Sequence, residues 1–340
     1  MNCTLNYHTR KLYSNHGMLK KYWNILSKIL IMAIFCLAVW LVYNKLRAYS
    51  LESIRQSIAQ IPFQNLIACA VLTIINYIVL VAYDWLAIKA TGKSLHLCKV
   101  AMVSFVGFAV SYNFGALLAG TPVRYRLYSA WKFTTFEIVR LILMIAVAFW
   151  IGVMGLAGMI FFFVPFDIPP GLNIPGWLVR PLGGALLLLC CVYLALCKFA
   201  DGRTITLFSK KIGLPSFKLA VLQTIVACID FVIAAACLYV LLPQESGVPF
   251  WEFVPAYMLA QVSVVLTHVP GGLGVLEVIL MNLIALPANI VFASILIFRL
   301  IYYIIPLLLA AVIMVVNEFV LQASVLKKAH DASLAGKKPD

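Results

Sequence analysis

The run Thr267–His268–Val269–Pro270–Gly271–Gly272–Leu273–Gly274–Val275–Leu276–Glu277 decides how this chain is read. It sets a histidine, a proline, three glycines and a glutamate inside sequence otherwise apolar enough for a bilayer. A bilayer core holds no water, so irregular backbone persists there only when protein or a wet cavity surrounds it. Ionisable side chains at that depth cost about 2.5 kcal/mol or more on insertion scales, and they mark pathways or sites.

Working outward, a second break lies in the first half of the chain, at Gly115–Ala116–Leu117–Leu118–Ala119–Gly120–Thr121–Pro122–Val123–Arg124–Tyr125–Arg126. Two interrupted segments in corresponding places point to a transporter-like binding site. The surroundings agree with that class. Of 340 residues, 64% are hydrophobic and 11% charged, against about 25% charged in ordinary globular chains. The 26 Lys and Arg against 12 Asp and Glu are read as the basic bias of cytoplasmic loops rather than as a nucleic-acid footprint.

Nine cysteines and five histidines show neither C-x-x-C nor H-E-x-x-H spacing, so no metal, cofactor or redox framework is expected. No G-x-S-x-G or Walker A run occurs, and no catalytic residue is assigned.

Spanning helices need about 20 mainly apolar residues, and six are expected at 22–44, 64–88, 137–164, 182–199, 217–242 and 290–319. A cleavable signal has an apolar core of only about 7–15 residues, so 22–44 reads as a retained anchor. The basic residues decide the two broken stretches, 100–134 and 253–288. If both are re-entrant hairpins and the N-terminus is cytoplasmic, only Lys45, Arg47, Arg55 and Arg180 fall outside. Arg140 and Arg299 lie within spans, and every other Lys and Arg is inside. A full crossing at 100–134 would export Lys198, Arg203, Lys210, Lys211 and Lys218, against the positive-inside rule. The outside loops at 164–171 and 243–247 are Pro/Gly-rich and carry acids instead.

The expected fold is therefore an all-α polytopic membrane protein of about six spanning helices plus two re-entrant half-helix hairpins. Its transmembrane domain covers 22–320, between basic cytoplasmic tails at 1–21 and 321–340. Within it, units 64–164 and 217–319 repeat span, hairpin and span in opposite orientation, an inverted repeat of the kind found in secondary transporters.

The runs Tyr125–Arg126–Leu127–Tyr128, His268–Val269–Pro270–Gly271–Gly272–Leu273–Gly274–Val275–Leu276–Glu277 and Arg299–Leu300–Ile301–Tyr302–Tyr303–Ile304–Ile305–Pro306 resemble the lysylphosphatidylglycerol synthase transmembrane region family. This is the membrane domain of the multiple peptide resistance factor, also found as stand-alone YbhN-like inner-membrane proteins. The resemblance covers about residues 20–320 and is nearest the stand-alone form. It implies a multi-pass protein of the bacterial inner membrane that moves or binds phospholipid. The soluble aminoacyl-transferase domain of the synthase does not follow the last span, so synthase activity does not carry over.

The residues supply a candidate substrate site. Gly271, Gly272 and Gly274 allow close backbone approach, and the helix after Gly274 presents N–H groups and a dipole suited to an anion such as phosphate. Glu277 at that start either balances the dipole or partners a lipid amine, His268 or Arg299. Arg124 and Arg126 either splay around one headgroup or anchor the interface. Arg299 lies near mid-span and needs a counter-charge; Asp230 is its expected mate, as a structural pair or as part of the site. His268 either shuttles a proton or bonds locally, and Tyr302 and Tyr303 either steer Arg299 or pack. Glu137 and Arg140, three apart, are expected to pair along one helix face.

The expected function is phospholipid translocation or carriage, with an anionic headgroup and without ATPase or transferase chemistry. A membrane-embedded headgroup transferase using His268 and Glu277, and an anionic-lipid-binding scaffold, are the alternatives. Homo-oligomerisation is left open.

Overall fold

The structure is a computed structural model. It describes residues 61–164, 176–200, 215–243, 247–267 and 274–319, with positions 56, 59 and 272, and the backbone of 204–207 and 210–213. The expected span 22–44 and both tails lie outside the described residues. Residues Tyr49–Leu307 form one compact unit, and every contact given below lies within it. Of the second unit, the described part is 308–319, the end of a helix that begins further upstream.

Helix α1, Phe63–Ala90, runs for 28 residues, about 42 Å at 1.5 Å per residue, enough to cross a hydrocarbon core of about 30 Å. Its polarity is turned inside out relative to a helix in water. Thr73, Asn76, Tyr77, Tyr83 and Asp84 are buried, while Ile67, Val71, Ile74 and Ile78 are exposed. Such a helix keeps its polar groups among neighbours and turns hydrocarbon outward, as a bilayer requires.

The first broken segment is α2, Leu97–Phe114, a π-helical turn Ala116–Gly120, and α3, Thr121–Ala130. Gly115 stands between them at φ +91° and ψ 146°, a region open essentially to glycine alone. There the chain folds back: a Cβ on Gly120 would collide with the Ser111 hydroxyl. Pro122 sits in the first turn of α3, where its missing N–H costs nothing. Helix α4, Thr135–Phe163, opens on a capping box: Thr134 N–H donates to Glu137 Oε2 at 2.8 Å, and Glu137 N–H to Thr134 Oγ1 at 3.4 Å. Glu137 also pairs with Lys93 at 2.6 Å. The acid expected to serve Arg140 instead caps its own helix and ties the α1–α2 loop to α4.

Helix α5, Val179–Ala200, follows a 3-10 turn at Gly176–Leu178. It packs on α4 through small residues, with Gly183 against Phe161 and Phe162 and Gly158 against Leu187, the usual means of close helix approach in membranes. A two-stranded antiparallel hairpin, Thr204–Leu207 with Lys210–Gly213, pairs Thr204 with Gly213. Helix α6, Phe217–Tyr239, comes next. The second broken segment is α7, Phe250–Thr267, and α8, Val275–Leu283. Helix α9, Ala288–Phe298, passes through a π-helical stretch at Arg299–Ile304, and the helix continues to Phe319.

Helices α1, α4, α5, α6 and the run Ile290–Phe319 correspond to five of the six expected spans. Helices α2 and α7, 18 residues each, are also long and apolar enough to cross, so the described residues hold seven candidate spans by length and composition. The chain is an all-α polytopic membrane protein.

The second half repeats the spacing of the first. Asn76 on α1 and Asp230 on α6 are hydrogen-bonded to each other across 154 residues. Helix starts at Phe63 and Phe217, Leu97 and Phe250, Thr121 and Val275, and Thr135 and Ala288 keep that same separation to within one residue. Helices α1 and α6 cross antiparallel: Thr73 meets Cys237 while Asn76, further along, meets Asp230. Contacts repeat as well. Tyr77 packs on Tyr302, and Phe231, at the corresponding place in α6, packs on Phe149.

Candidate functional site

Three buried polar groupings lie within this helical packing. The first joins α1 to α3. Arg124 donates from Nε to Asp84 Oδ1 at 3.2 Å and from Nη2 to Oδ2 at 3.1 Å, and Tyr128 donates its hydroxyl to Oδ1 at 2.7 Å. The guanidinium lies 4.5 Å from the Phe108 ring centre. It fits because Gly107 has no side chain: a Cβ there would stand 2.8 Å from Cζ. Bidentate geometry of this kind is the strong form of an arginine–carboxylate contact. Arg124 is thus engaged by the protein itself. Arg126 is half-buried and lies about 200° further round the helix, so the two arginines do not share one face as a headgroup clasp would require.

The second joins α8 to the π-helical stretch. Arg299 Nη2 donates to Glu277 Oε2 at 2.8 Å and to the Gly272 carbonyl at 3.0 Å. Glu277 Oε2 also accepts the Gly274 N–H at 2.9 Å, so one carboxylate caps α8 and holds the arginine. Both side chains are buried. Gly274 has φ +78°, which turns the chain into α8. The expected mate for Arg299, Asp230, is replaced by Glu277, which the break in the helix brings within reach.

The third surrounds Asp230 at the α1–α6 crossing. Asn76 Nδ2 donates to Asp230 Oδ1 at 3.0 Å and to the Tyr302 hydroxyl at 2.6 Å, and Tyr83 donates to Oδ2 at 3.0 Å. The Asn76 side-chain oxygen is buried with no hydrogen-bond partner. Tyr302 stacks on Phe298 and neighbours Tyr77, Tyr112 and Tyr303. Tyr303 packs on Tyr302 and lies in the same π-helical stretch as Arg299, and so stands between the second and third groupings. Asn113, two residues before Gly115, donates to the Tyr303 carbonyl at 3.0 Å and fixes the first broken segment to the π-helical stretch.

Of the residues singled out in the sequence, Asp230, Gly272, Gly274, Glu277, Arg299, Tyr302 and Tyr303 come together here; Arg124 lies in the separate pair with Asp84. His268 and Gly271 lie outside the described residues. Sequence reading passed over Asn76, Tyr83, Asp84 and Asn113. Asp84 was open to detection, being an acid inside an apolar span; Asn76 and Asn113 carry no charge and gave no such signal. Among the described residues no group of three or more His, Cys, Asp or Glu is placed to hold a metal.

A polytopic helical membrane protein with buried arginine–carboxylate pairs at its helix breaks is the class so defined, and known proteins narrow it. No family model matches the chain. It is 34% identical to the protein slr0712 of Synechocystis over 84% of this chain and 90% of that one. It is 29% identical to the inner membrane protein YbhN of Escherichia coli, over 92% and 98% respectively. Identity to the phosphatidylglycerol lysyltransferase of Staphylococcus aureus is 23% over 88% of this chain, and covers 35% of that protein. The chain belongs to the YbhN-like family of membrane proteins, related to the membrane region of that lysyltransferase.

Proposed function

We propose that this protein is a phospholipid translocator or lipid carrier of the bacterial inner membrane, acting on an anionic headgroup and leaving the lipid chemically unchanged. In this reading both termini are cytoplasmic, the hairpins 97–130 and 250–283 are re-entrant, and the two halves form an inverted repeat. The recurring helix spacing and the antiparallel α1–α6 crossing support that arrangement. Relatedness to a protein named for phosphatidylglycerol supports a lipid substrate.

The observation that carries the reading is Arg299, held on Glu277 and on the Gly272 carbonyl where the second hairpin is broken. A phosphodiester, like a carboxylate, carries one negative charge over two oxygens that an arginine fork can bind. It competes with Glu277 for the guanidinium, and the start of α8 offers backbone N–H groups beside it. Glu277 then acts as the placeholder that neutralises Arg299 when no lipid is bound.

The test is reconstitution in vesicles with fluorescent phosphatidylglycerol, reading leaflet exchange and headgroup integrity together. Wild type exchanges lipid that is recovered unmodified. Glu277→Gln keeps the shape but not the charge, and Arg299→Lys keeps the charge but loses the fork; both variants insert and purify yet lose about tenfold or more of the exchange rate, corresponding to about 1.4 kcal/mol. Recovery of a modified headgroup, or exchange unaffected by both changes, overturns the proposal.

A further inference from the structure

We propose that Asp230 is the site at which a proton is bound and released during the lipid cycle, so that lipid movement is driven by a proton gradient; this rests on the translocator reading. Among the described residues, three carboxyls are buried in the helical core. Asp84 faces Arg124 and Glu277 faces Arg299, each within 3.1 Å. Asp230 differs: its two oxygens accept from an amide and a phenol, Asn76 and Tyr83, both neutral. Carboxylates locked to arginine keep one charge state, whereas a carboxyl met by neutral donors can change its own.

The surroundings of Asp230 fit that role. From α1 it meets Asn76 and Tyr83; Asn76 bonds Tyr302 of the π-helical stretch, on which Tyr77, Tyr112 of α2 and Tyr303 pack, and Tyr257 of α7 lies within electrostatic range. Its own helix also carries two thiols, Cys228, which faces the Gly152 carbonyl, and Cys237, which meets Thr73. Helix α4 has no ionisable residue after Arg140. Two buried arginines lie a few contacts away and each is engaged by a carboxylate: Arg124, reached through Tyr83 and Phe108, by Asp84, and Arg299 by Glu277. Among the described residues, the other groups around Asp230 are an amide, phenols and thiols.

The step balances simply. A proton from water adds to Oδ2 of the carboxylate and gives the neutral acid, and the Tyr83 hydroxyl turns from donor to acceptor. Asn76 goes on donating to Oδ1. Release reverses this to the opposite water phase. Asn76 also bonds Tyr302, which lies with Tyr303 and Arg299 in one π-helical stretch, so the change at Asp230 is transmitted to where the headgroup binds. The position suits alternation: Asp230 lies at the α1–α6 crossing, on residues that occupy the same place in both halves.

The test uses the full chain in lipid nanodiscs, with infrared spectra recorded across pH while near-ultraviolet dichroism reports that it stays folded. A protonated-carboxyl band is expected that titrates in the folded protein, persists in Asp84→Asn and Glu277→Gln, and disappears in Asp230→Asn. If Asp230→Asn does not accumulate, Asp230→Glu serves, with a band shifted in frequency. No band assignable to residue 230 at any pH where the fold survives overturns the proposal. In vesicles with fluorescent phosphatidylglycerol, an imposed pH gradient should skew the leaflet distribution several-fold for wild type, and Asp230→Asn should lose that gradient-dependent skew. Lipid exchange indifferent to the gradient in wild type overturns the coupling and leaves the translocator standing. Absence of any wild-type exchange removes the translocator reading instead, and the infrared titration alone then decides proton binding.

Discussion

At the scale of single residues, the two arginines at the hairpins behave differently although both are buried. Arg124 is held by two hydrogen bonds to Asp84, with Tyr128 on the same carboxylate. Taking away one partner of such a pair strands a charge in a medium that solvates it poorly, at about 3–5 kcal/mol. Asp84→Asn is therefore expected to lower the thermal midpoint of the purified protein by many degrees, read as loss of the monodisperse peak after heating. Arg299 has its carboxylate at a helix break, and its conservative variant is expected to fold and fail in lipid exchange. Arg299 and Glu277 were legible in the sequence because both carry charge into apolar surroundings. Their mutual pairing was less so: Asp230 also lay near mid-span, and only the turn at Gly272 and Gly274 shows which acid the backbone delivers.

At the scale of elements, composition exposed the long helices well, because a bilayer demands an unbroken apolar run and water-soluble folds do not. The ends were harder: α1 extends to Ala90 past the expected end at 88, and α6 stops at Tyr239 short of 242, since hydropathy carries no information about where the last hydrogen bonds close. Both breaks were legible through glycine and proline, but the π-helical stretches beside them were not, having no residue signature of their own. Gly115 makes the first break at an angle that side chains resist. Gly115→Val is expected to destabilise the protein by about 1–3 kcal/mol, measurable as a drop in midpoint. Gly107→Leu acts elsewhere, by pressing on Arg124, and should match Asp84→Asn in effect.

For the whole molecule, lysines and aromatic rings gather where the α1–α2 and α3–α4 loops meet. Lys89 lies 3.6 Å from the Trp85 ring centre, Lys93 4.7 Å from Phe133 and Lys99 5.4 Å from Trp131. Such belts mark a membrane–water boundary. With native thiols removed, a cysteine at position 93 should react with an impermeant reagent only after the inner membrane is opened, and one at 180 before it. Labelling in the reverse order overturns the orientation of the whole chain.

Asn76 touches Asp230, 154 residues further along the chain. In the proposed inverted repeat, a residue on the axis between the two halves meets its own counterpart. Aspartate facing aspartate would place two carboxylates in one pocket, where like charges cannot both ionise; asparagine facing asparagine would forgo the acid altogether. An amide facing an acid avoids both outcomes, and in the proposed repeat it gives the two halves different charge at this position. Exchanging the pair, Asn76→Asp with Asp230→Asn, should therefore preserve more stability than Asn76→Asp alone, and a double-mutant cycle on thermal midpoints measures the difference. Equal damage from both would mean that the neighbours of each site, rather than their mutual contact, fixed which half kept the acid.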